Sequence, residues 1–195
     1  MNITEGKVDP NIELFNYLIR RDMEYKPEID ISGWMSPAEL EWLYQKAKKM
    51  DTIVEIGSWM GRSTHALCSG CKGIVYAVDH FKGNPSEIDG AHALVKTQDI
   101  EAIFKKNVGH FTNLVTMKME SKEAAACFKD GDVDMVFLDA DHAYPAVMEI
   151  IEAWLPKCKK LLCGHDKSQD GTPRAFQELG LKPKDEVNQI WSIEI

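Results

Sequence analysis

The residues best able to do chemistry stand together at positions 53–64, Ile-Val-Glu-Ile-Gly-Ser-Trp-Met-Gly-Arg-Ser-Thr. They read as a short buried strand ending in an acid, then a glycine-bracketed turn that opens a helix. Open α/β proteins bind ligands outside the C-terminal edge of a parallel sheet, and such a corner suits a small charged metabolite. The glycines let backbone approach the ligand closely, and Glu55 can meet a cationic group.

Glycine spacing selects among ligands. A dinucleotide fingerprint starting at Gly57 needs glycines at positions 59 and 62, where the chain has Trp59 and Arg62. An indole where pyrophosphate must lie is hard to accommodate. A phosphate-cradling loop needs four residues between its glycines and then Lys-Ser/Thr; here three separate Gly57 from Gly61, and Arg62-Ser63-Thr64 follows. An acid two residues before the glycine repels phosphate but pairs with an ammonium. A ligand with an amino-acid head and a ribose satisfies both ends, and S-adenosylmethionine is such a ligand. The competing reading is a plain βα turn, with Gly57 serving the turn and Glu55 solvated.

Other strand ends point the same way. Asp79 ends the next strand, where a carboxylate can accept both hydroxyls of a ribose. His80 and Phe81 follow and are placed to flank an adenine ring, and Glu120 and Ser121 to meet the base edge. Each residue alone is common at a strand end; together they turn polar groups toward one crevice. Cys68 and Cys71 have redox or zinc spacing. The only other nearby-looking pair, Cys158 and Cys163, would lie ~15 Å apart along a strand and could not share a tetrahedral site. These cysteines are read as packing residues.

The elements that must position these groups follow from period and punctuation. Amphipathic helices are expected at 11–21 and 37–49, with Ser36 as N-cap and Pro37 at the first helical position. Strands are expected at 52–56, 74–78, 114–119, 133–138 and 160–163. Helices are expected at 62–68, 93–108, 121–128 (capped by Ser121), 145–155 (stopped by Pro156) and 173–179 (ended by Gly180). The tail, 186–195, alternates enough for one or two strands. The run at 133–138 is almost continuously apolar, as for a strand buried on both faces. Strand–helix alternation of this kind means a doubly wound, Rossmann-like, mostly parallel sheet with helices on both faces. Residues 1–195 are expected to form one domain, with 1–50 an N-terminal helical extension. The loops 80–91 and 167–172 and the N-terminal helices are placed to wall the crevice, and the loops to close over it. Aromatic and Met stripes such as Trp42-Leu43 and 148–154 read as core.

Composition narrows the partners. The chain has 195 residues, 44% hydrophobic and 28% charged, which is ordinary for a globular domain. A net charge of −8 argues against a nucleic-acid backbone as substrate. The basic clusters Lys105-Lys106 and 157–160 read as solvated helix ends. The polar, acidic start carries no signal sequence, no apolar run is long enough to span a bilayer, and the five cysteines are an odd number. A cytoplasmic protein acting on a small molecule, away from nucleic acid and membrane, is expected; a homodimer is left open.

Residues 54–64, 77–79, 137–144 (Phe-Leu-Asp-Ala-Asp-His-Ala-Tyr), 154–156 and 164–166 carry a family resemblance. The chain resembles the class I S-adenosylmethionine-dependent methyltransferases, and among them the O-methyltransferase-like group called methyltransferase family 24. The similarity runs from about Trp34 to Trp191. It implies that Glu55, Gly57 and Ser58 hold the methionine moiety, Asp79 the ribose and Ser121 the adenine side, and that the final strand is antiparallel. The full donor-contacting set becomes Glu55, Gly57, Ser58, Trp59, Gly61, Ser63, Thr64, Asp79, His80, Phe81, Glu120, Ser121 and Asp139. Many relatives carry Gly-Gly before the fifth strand; here Lys159-Lys160 stands there.

The resemblance also implies an acceptor chemistry. Metal-dependent relatives hold a divalent ion between an acid ending the fourth strand and acids or amides after the fifth, positions that Asp139 and Asp166 match. Asp141 or His165 would be further ligands, and the ion would be Mg²⁺ or another divalent cation. Relatives that bind metal usually offer Asp-Asp or Asp-Asn after the fifth strand, whereas this chain offers His165-Asp166. Asp139, His142 and His165 are the expected catalytic residues, and without a metal His142 or His165 would be the general base, since imidazole titrates near neutral pH. The plainer alternative has His142 positioning the helix that follows it. The activity expected is O-methylation of a small-molecule hydroxyl, on a sugar or a phenol-like acceptor. A nicotinamide-dependent oxidoreductase and a non-catalytic metabolite-binding module remain as alternatives.

Overall fold

In the computed structural model, residues 25–84 and 90–195 are described. The predicted helix at 11–21 and part of the loop at 80–91 lie outside the described residues. Helix α1 (Pro37–Ala47) starts as the sequence dictates: Ser36 caps it and Pro37 occupies its first turn. Glu39 completes a capping box, the Ser36 amide donating to its Oε2 at 2.7 Å. The elements then alternate: β1 (Thr52–Ile56), α2 (Arg62–Gly70), β2 (Ile74–Val78), α3 (Ile100–Val108), β3 (Leu114–Met117), α4 (Ser121–Ala125), β4 (Val133–Leu138), α5 (Tyr144–Trp154), β5 (Cys158–Gly164) and α6 (Gly171–Leu179). Two short strands, β6 (Lys184–Asp185) and β7 (Trp191–Glu194), complete the sheet.

The seven strands lie in the order β3-β2-β1-β4-β5-β7-β6. The first five are parallel, and β7 pairs antiparallel with both β5 and β6. The order reverses beside β1, between it and β4, so the crevice outside their C-terminal ends is the topological switch point at which ligands bind. All six residues of β4 are buried, because helices cover both faces of this central strand. One face packs α1 and α2 through Leu40, Leu43, Ile53, Leu67 and Phe137. The other packs α5 and α6 through Val54, Val136, Leu162, Trp154 and Phe176. Burying a Leu of this kind contributes about 1.5–3 kcal/mol.

Several boundaries differ from expectation for local reasons. The helix expected at 93–108 is divided: Gly90–Lys96 is a 3-10 turn, and Asp99 restarts the chain as N-cap by accepting from the Ala102 amide at 3.0 Å. Glu120, rather than Ser121, is the N-cap of α4, which ends at Ala125. Lys159-Lys160 lies inside β5, not before it. Cys158 and Cys163 fall in opposite cores of that strand, and Cys68, Cys71, Cys158 and Cys163 are buried while Cys127 is exposed. No helix among the described residues is long and apolar enough to cross a membrane.

Candidate active site

The C-terminal ends of the parallel strands open into one cavity of about 1520 Å³. Gly57, Trp59 and Ser63 line it from the corner after β1, and Asp79 and His80 from the end of β2. Met119, Glu120 and Ser121 follow from β3, Asp139, Asp141 and His142 from β4, and Asp166 and Gln169 from β5. Residues 32–35, just before α1, add a further wall, and Lys82 to Asn84 another.

Gly57 sets the geometry of the corner. Its φ is 88°, and a Cβ there would lie 2.0 Å from the carbonyl oxygen of Asp139. Only glycine lets β1 and the end of β4 pass this closely. The turn beyond is tied by Asp79, whose Oδ2 accepts from the amides of Ser58 (3.0 Å) and Trp59 (2.8 Å) while Oδ1 accepts from Phe81 (2.6 Å). A carboxylate offers about four lone-pair sites. Three are spent on backbone, which leaves room for one ribose hydroxyl rather than the two expected.

The structure moves other predicted donor residues off the cavity wall. Glu55 is fully buried on the α2 face, one layer behind, where Thr64 Oγ1 donates to its Oε2 at 2.5 Å. Among the described residues, neither its Oε1 nor the buried Ser58 Oγ has a hydrogen-bond partner. Burial pushes the Glu55 carboxyl up to about 7, against the lowering effect of the Ser63, Thr64 and Ser58 hydroxyls. Gly61 is a left-handed N-cap (φ 93°) whose Cβ would press on Val108, so it serves the packing of α2 on α3. Phe81 is buried against Phe104, with ring centroids 5.3 Å apart, and does not flank the cavity. His80 does. Ser121 lines the cavity, and its Oγ also accepts from the Trp154 indole at 2.9 Å.

After β4 and β5 stand Asp139, His142 and Asp166, each offering one ligand atom within 4.8 Å of the others. His142 Nε2 lies 2.8 Å from Asp166 Oδ2. Asp141 instead turns back to accept from the Ala143 amide at 2.8 Å. His165 is not available as a base. Its ring is buried, with Nδ1 2.9 Å from Asp166 Oδ2 and Nε2 3.1 Å from Glu39 Oε1. Ionised carboxylates only accept, so both ring nitrogens donate and no lone pair remains. Burial alone would lower the ring's pKa, but the bonds to Asp166 and Glu39 outweigh it and push it up to about 10.

The neighbouring carboxyls respond in opposite directions. Asp139 is raised to about 7, foremost by burial, with His165 pulling down and Asp166 pushing up. Asp166 is held well below the usual carboxylate range by His142 and His165, against burial. Glu39 is likewise held at about 2, because bonds from His165, Ser36 and Gln189 overcome burial. Glu39 is the member of this cluster that sequence reading missed. Its position three residues after Ser36 signals the capping box, but its second role depends on α1 lying over the end of β5.

Strain gathers at the same edge. Trp59, Phe81 and Asp166 have φ of 47°, 59° and 54°, conformations that cost non-glycine residues about 1–3 kcal/mol each. Backbone held this way is over-determined by its surroundings, here by Asp79 for the first two and by His165 for the third.

Residues 54–166, more than half the chain, match the profile of the family described as "Methyltransferase domain". No curated protein matches the sequence significantly. Among solved structures, a candidate O-methyltransferase from Klebsiella pneumoniae superposes with a TM-score of 0.67 at 15% identity, covering 93% of this chain and 95% of that one. The O-methyltransferase of Bacillus cereus, in complex with S-adenosylhomocysteine (SAH), gives 0.58 at 17% identity over 93% and 97%. An SAH-bound methyltransferase from Podospora anserina gives 0.59 at 13% identity over 98% of both chains. At such identities the likeness establishes the fold alone.

Proposed function

The chain belongs to the class I S-adenosylmethionine-dependent methyltransferases, in the methyltransferase-domain family that its residues 54–166 match, and on that premise we propose that it methylates a hydroxyl of a small molecule. One observation carries this reading. A single cavity joins the Gly57–Asp79 corner, suited to an amino-acid head and a ribose, to a cluster of two carboxylates and an imidazole suited to an acceptor hydroxyl. The O-methyltransferase of Bacillus cereus, bound to SAH on a similar fold, supports the donor and the acceptor atom.

The reaction is an in-line displacement. The acceptor oxygen forms a bond to the methyl carbon as the carbon–sulfur bond breaks, the sulfonium becomes a neutral thioether, and the hydroxyl proton leaves. Positioning supplies most of the acceleration in such a transfer. Gly57 shapes the corner by letting the end of β4 close against it, and the free lone pair of Asp79 takes one ribose hydroxyl. His80, Glu120 and Ser121 border the adenine end.

Asp139, His142 and Asp166 fit a divalent cation, with His142 taking the place expected of Asp141 or His165. Two carboxylates and one imidazole suit a first-row ion such as Mn²⁺ better than Mg²⁺, which prefers oxygen alone. When bound, such an ion acts as a Lewis acid on the acceptor oxygen. The chain's own part is to aim these donors and to supply Asp139, raised toward neutrality, as proton acceptor in the ion-free protein.

Isothermal titration tests the reading. SAH should bind and NAD should not, and Mn²⁺ should bind with EDTA reversing it. Binding of NAD in place of SAH would overturn the methyltransferase assignment; SAH binding with no Mn²⁺ uptake would remove the ion alone.

A further inference from the structure

Resting on the reading of Asp139, His142 and Asp166 as the acceptor-side cluster, we infer that Glu39 is a positioning residue: through His165 it holds Asp166 aimed into the cavity. Glu39 is almost fully buried, at 3% exposure, and its two oxygens have separate duties. Oε2 serves the helix start, accepting from the amide and the hydroxyl of Ser36, both at 2.7 Å. Oε1 accepts from His165 Nε2 at 3.1 Å and from the Gln189 amide at 3.0 Å. Capping α1 needs only the first of these.

The second oxygen fixes the His165 ring. With Nε2 held from behind, the ring presents Nδ1 to Asp166 Oδ2 at 2.9 Å. The backbone of His165 is anchored as well, its carbonyl accepting from the Trp191 indole at 3.0 Å. Asp166 stands at φ 54°, in the left-handed region, and its Oδ2 is held between His165 Nδ1 and His142 Nε2, the latter at 2.8 Å. The chain of contacts therefore runs from the first turn of α1, through a ring that does not line the main cavity, to a carboxylate that does. Groups one layer behind a metal-binding side chain orient it in this way, and their loss costs about 10–100-fold in metal affinity.

A double-mutant cycle tests the inference, read by Mn²⁺ titration and by melting temperature on the full chain. Glu39→Ala should weaken Mn²⁺ binding about tenfold, and should add no further loss in a His165→Ala background, since residues acting through one another are non-additive. Ser36→Ala, which removes the capping hydroxyl and its bonds to Glu39 Oε2 and Asn188 but leaves the contact of Glu39 Oε1 with His165, should lower the melting temperature and leave Mn²⁺ affinity unchanged. Equal losses in both backgrounds, or an unchanged affinity in Glu39→Ala, would overturn it. If Glu39→Ala does not fold, Glu39→Asp keeps the charge at the helix start while falling short of His165, and the same loss is expected. A crystal structure of the Glu39 variant forms the metal-free arm and decides alone if the wild type takes up no Mn²⁺, a result that would sink the ion but not this role, or if His165→Ala does not fold. A displaced His165 ring and a turned Asp166 carboxylate support the inference, and an unmoved pair overturns it.

Discussion

Glu55 shows how one residue can be legible in type and illegible in environment. Its place at the end of a strand, two residues before Gly57, marks it as a donor-corner acid. What the sequence does not display is that α2 packs over the same face of β1, enclosing the carboxyl with the hydroxyls of Ser58, Ser63 and Thr64. The folded chain therefore keeps a proton on Glu55 up to about pH 7, whereas the unfolded chain releases it near 4.5. Between those values the unfolded state binds fewer protons, so this group subtracts stability as pH rises. Glu55→Gln retains an acceptor for Thr64 and removes the ionisation. The variant should be more stable than the wild type by about 3 kcal/mol at pH 8 and equal to it below pH 4. Denaturant melts at the two pH values would show this; a difference that does not change with pH would mean Glu55 is ionised in the fold. SAH titration on the same variant reports whether the donor's ammonium needs the charge.

Among elements, the strands were the most readable part of the chain. β1, β2 and β4 fall at the expected residues, because each is a short, mostly apolar run, buried throughout in β4, in all but the first residue of β1, and at three of the five residues of β2. Helix ends were less so. The cap at Asp99 and the shortness of α4 depend on single side-chain bonds that compete with an otherwise continuous helical pattern. The site divides similarly. Gly57, Trp59, Ser63, Asp79, His80, Glu120, Ser121, Asp139, His142 and Asp166 all line one cavity. Glu55, Ser58, Thr64, Phe81 and His165 are the expected residues whose side chains are buried away from that cavity, and Gly61 serves the packing of α2 on α3. Asp79 explains why the two donor loops stand together at all, since its carboxylate is the acceptor for amides on both. Asp79→Ala strips three amides of that partner at once. It should lower the melting temperature and weaken SAH binding by about 1–3 kcal/mol. A lower melting temperature with undiminished SAH affinity would leave Asp79 a scaffold residue without a ribose contact.

At the scale of the whole molecule, the buried and half-buried titratable groups pull stability in opposing directions and set its optimum. Glu39, Asp134, Asp166 and Glu186 are all held below their ordinary range. Their contribution is complete above the unfolded values near 4 and is lost as pH falls through the folded ones. Glu55 and Asp139 are raised to about 7, so their penalty grows from about pH 4 to neutrality. His165, raised to about 10, contributes fully below 6.5 and loses that contribution as pH climbs from there to about 10. The lowered acids thus define the acid limb, while the raised acids and the imidazolium together define the alkaline limb. A net charge of −8 at pH 7 adds self-repulsion on the alkaline side. The ion-free protein should therefore be most stable near pH 5, on the acid side of neutrality, and decline steadily toward pH 9. Glu55→Gln should move that maximum toward neutral pH by removing part of the alkaline penalty. Unfolding free energies measured from pH 3 to 9 in EDTA would trace both limbs. A broad maximum at pH 7–8 in the wild type would mean that the buried Glu55 and the half-buried Asp139 are ionised when folded, and that the low-dielectric environment assigned to this edge of the sheet is wrong.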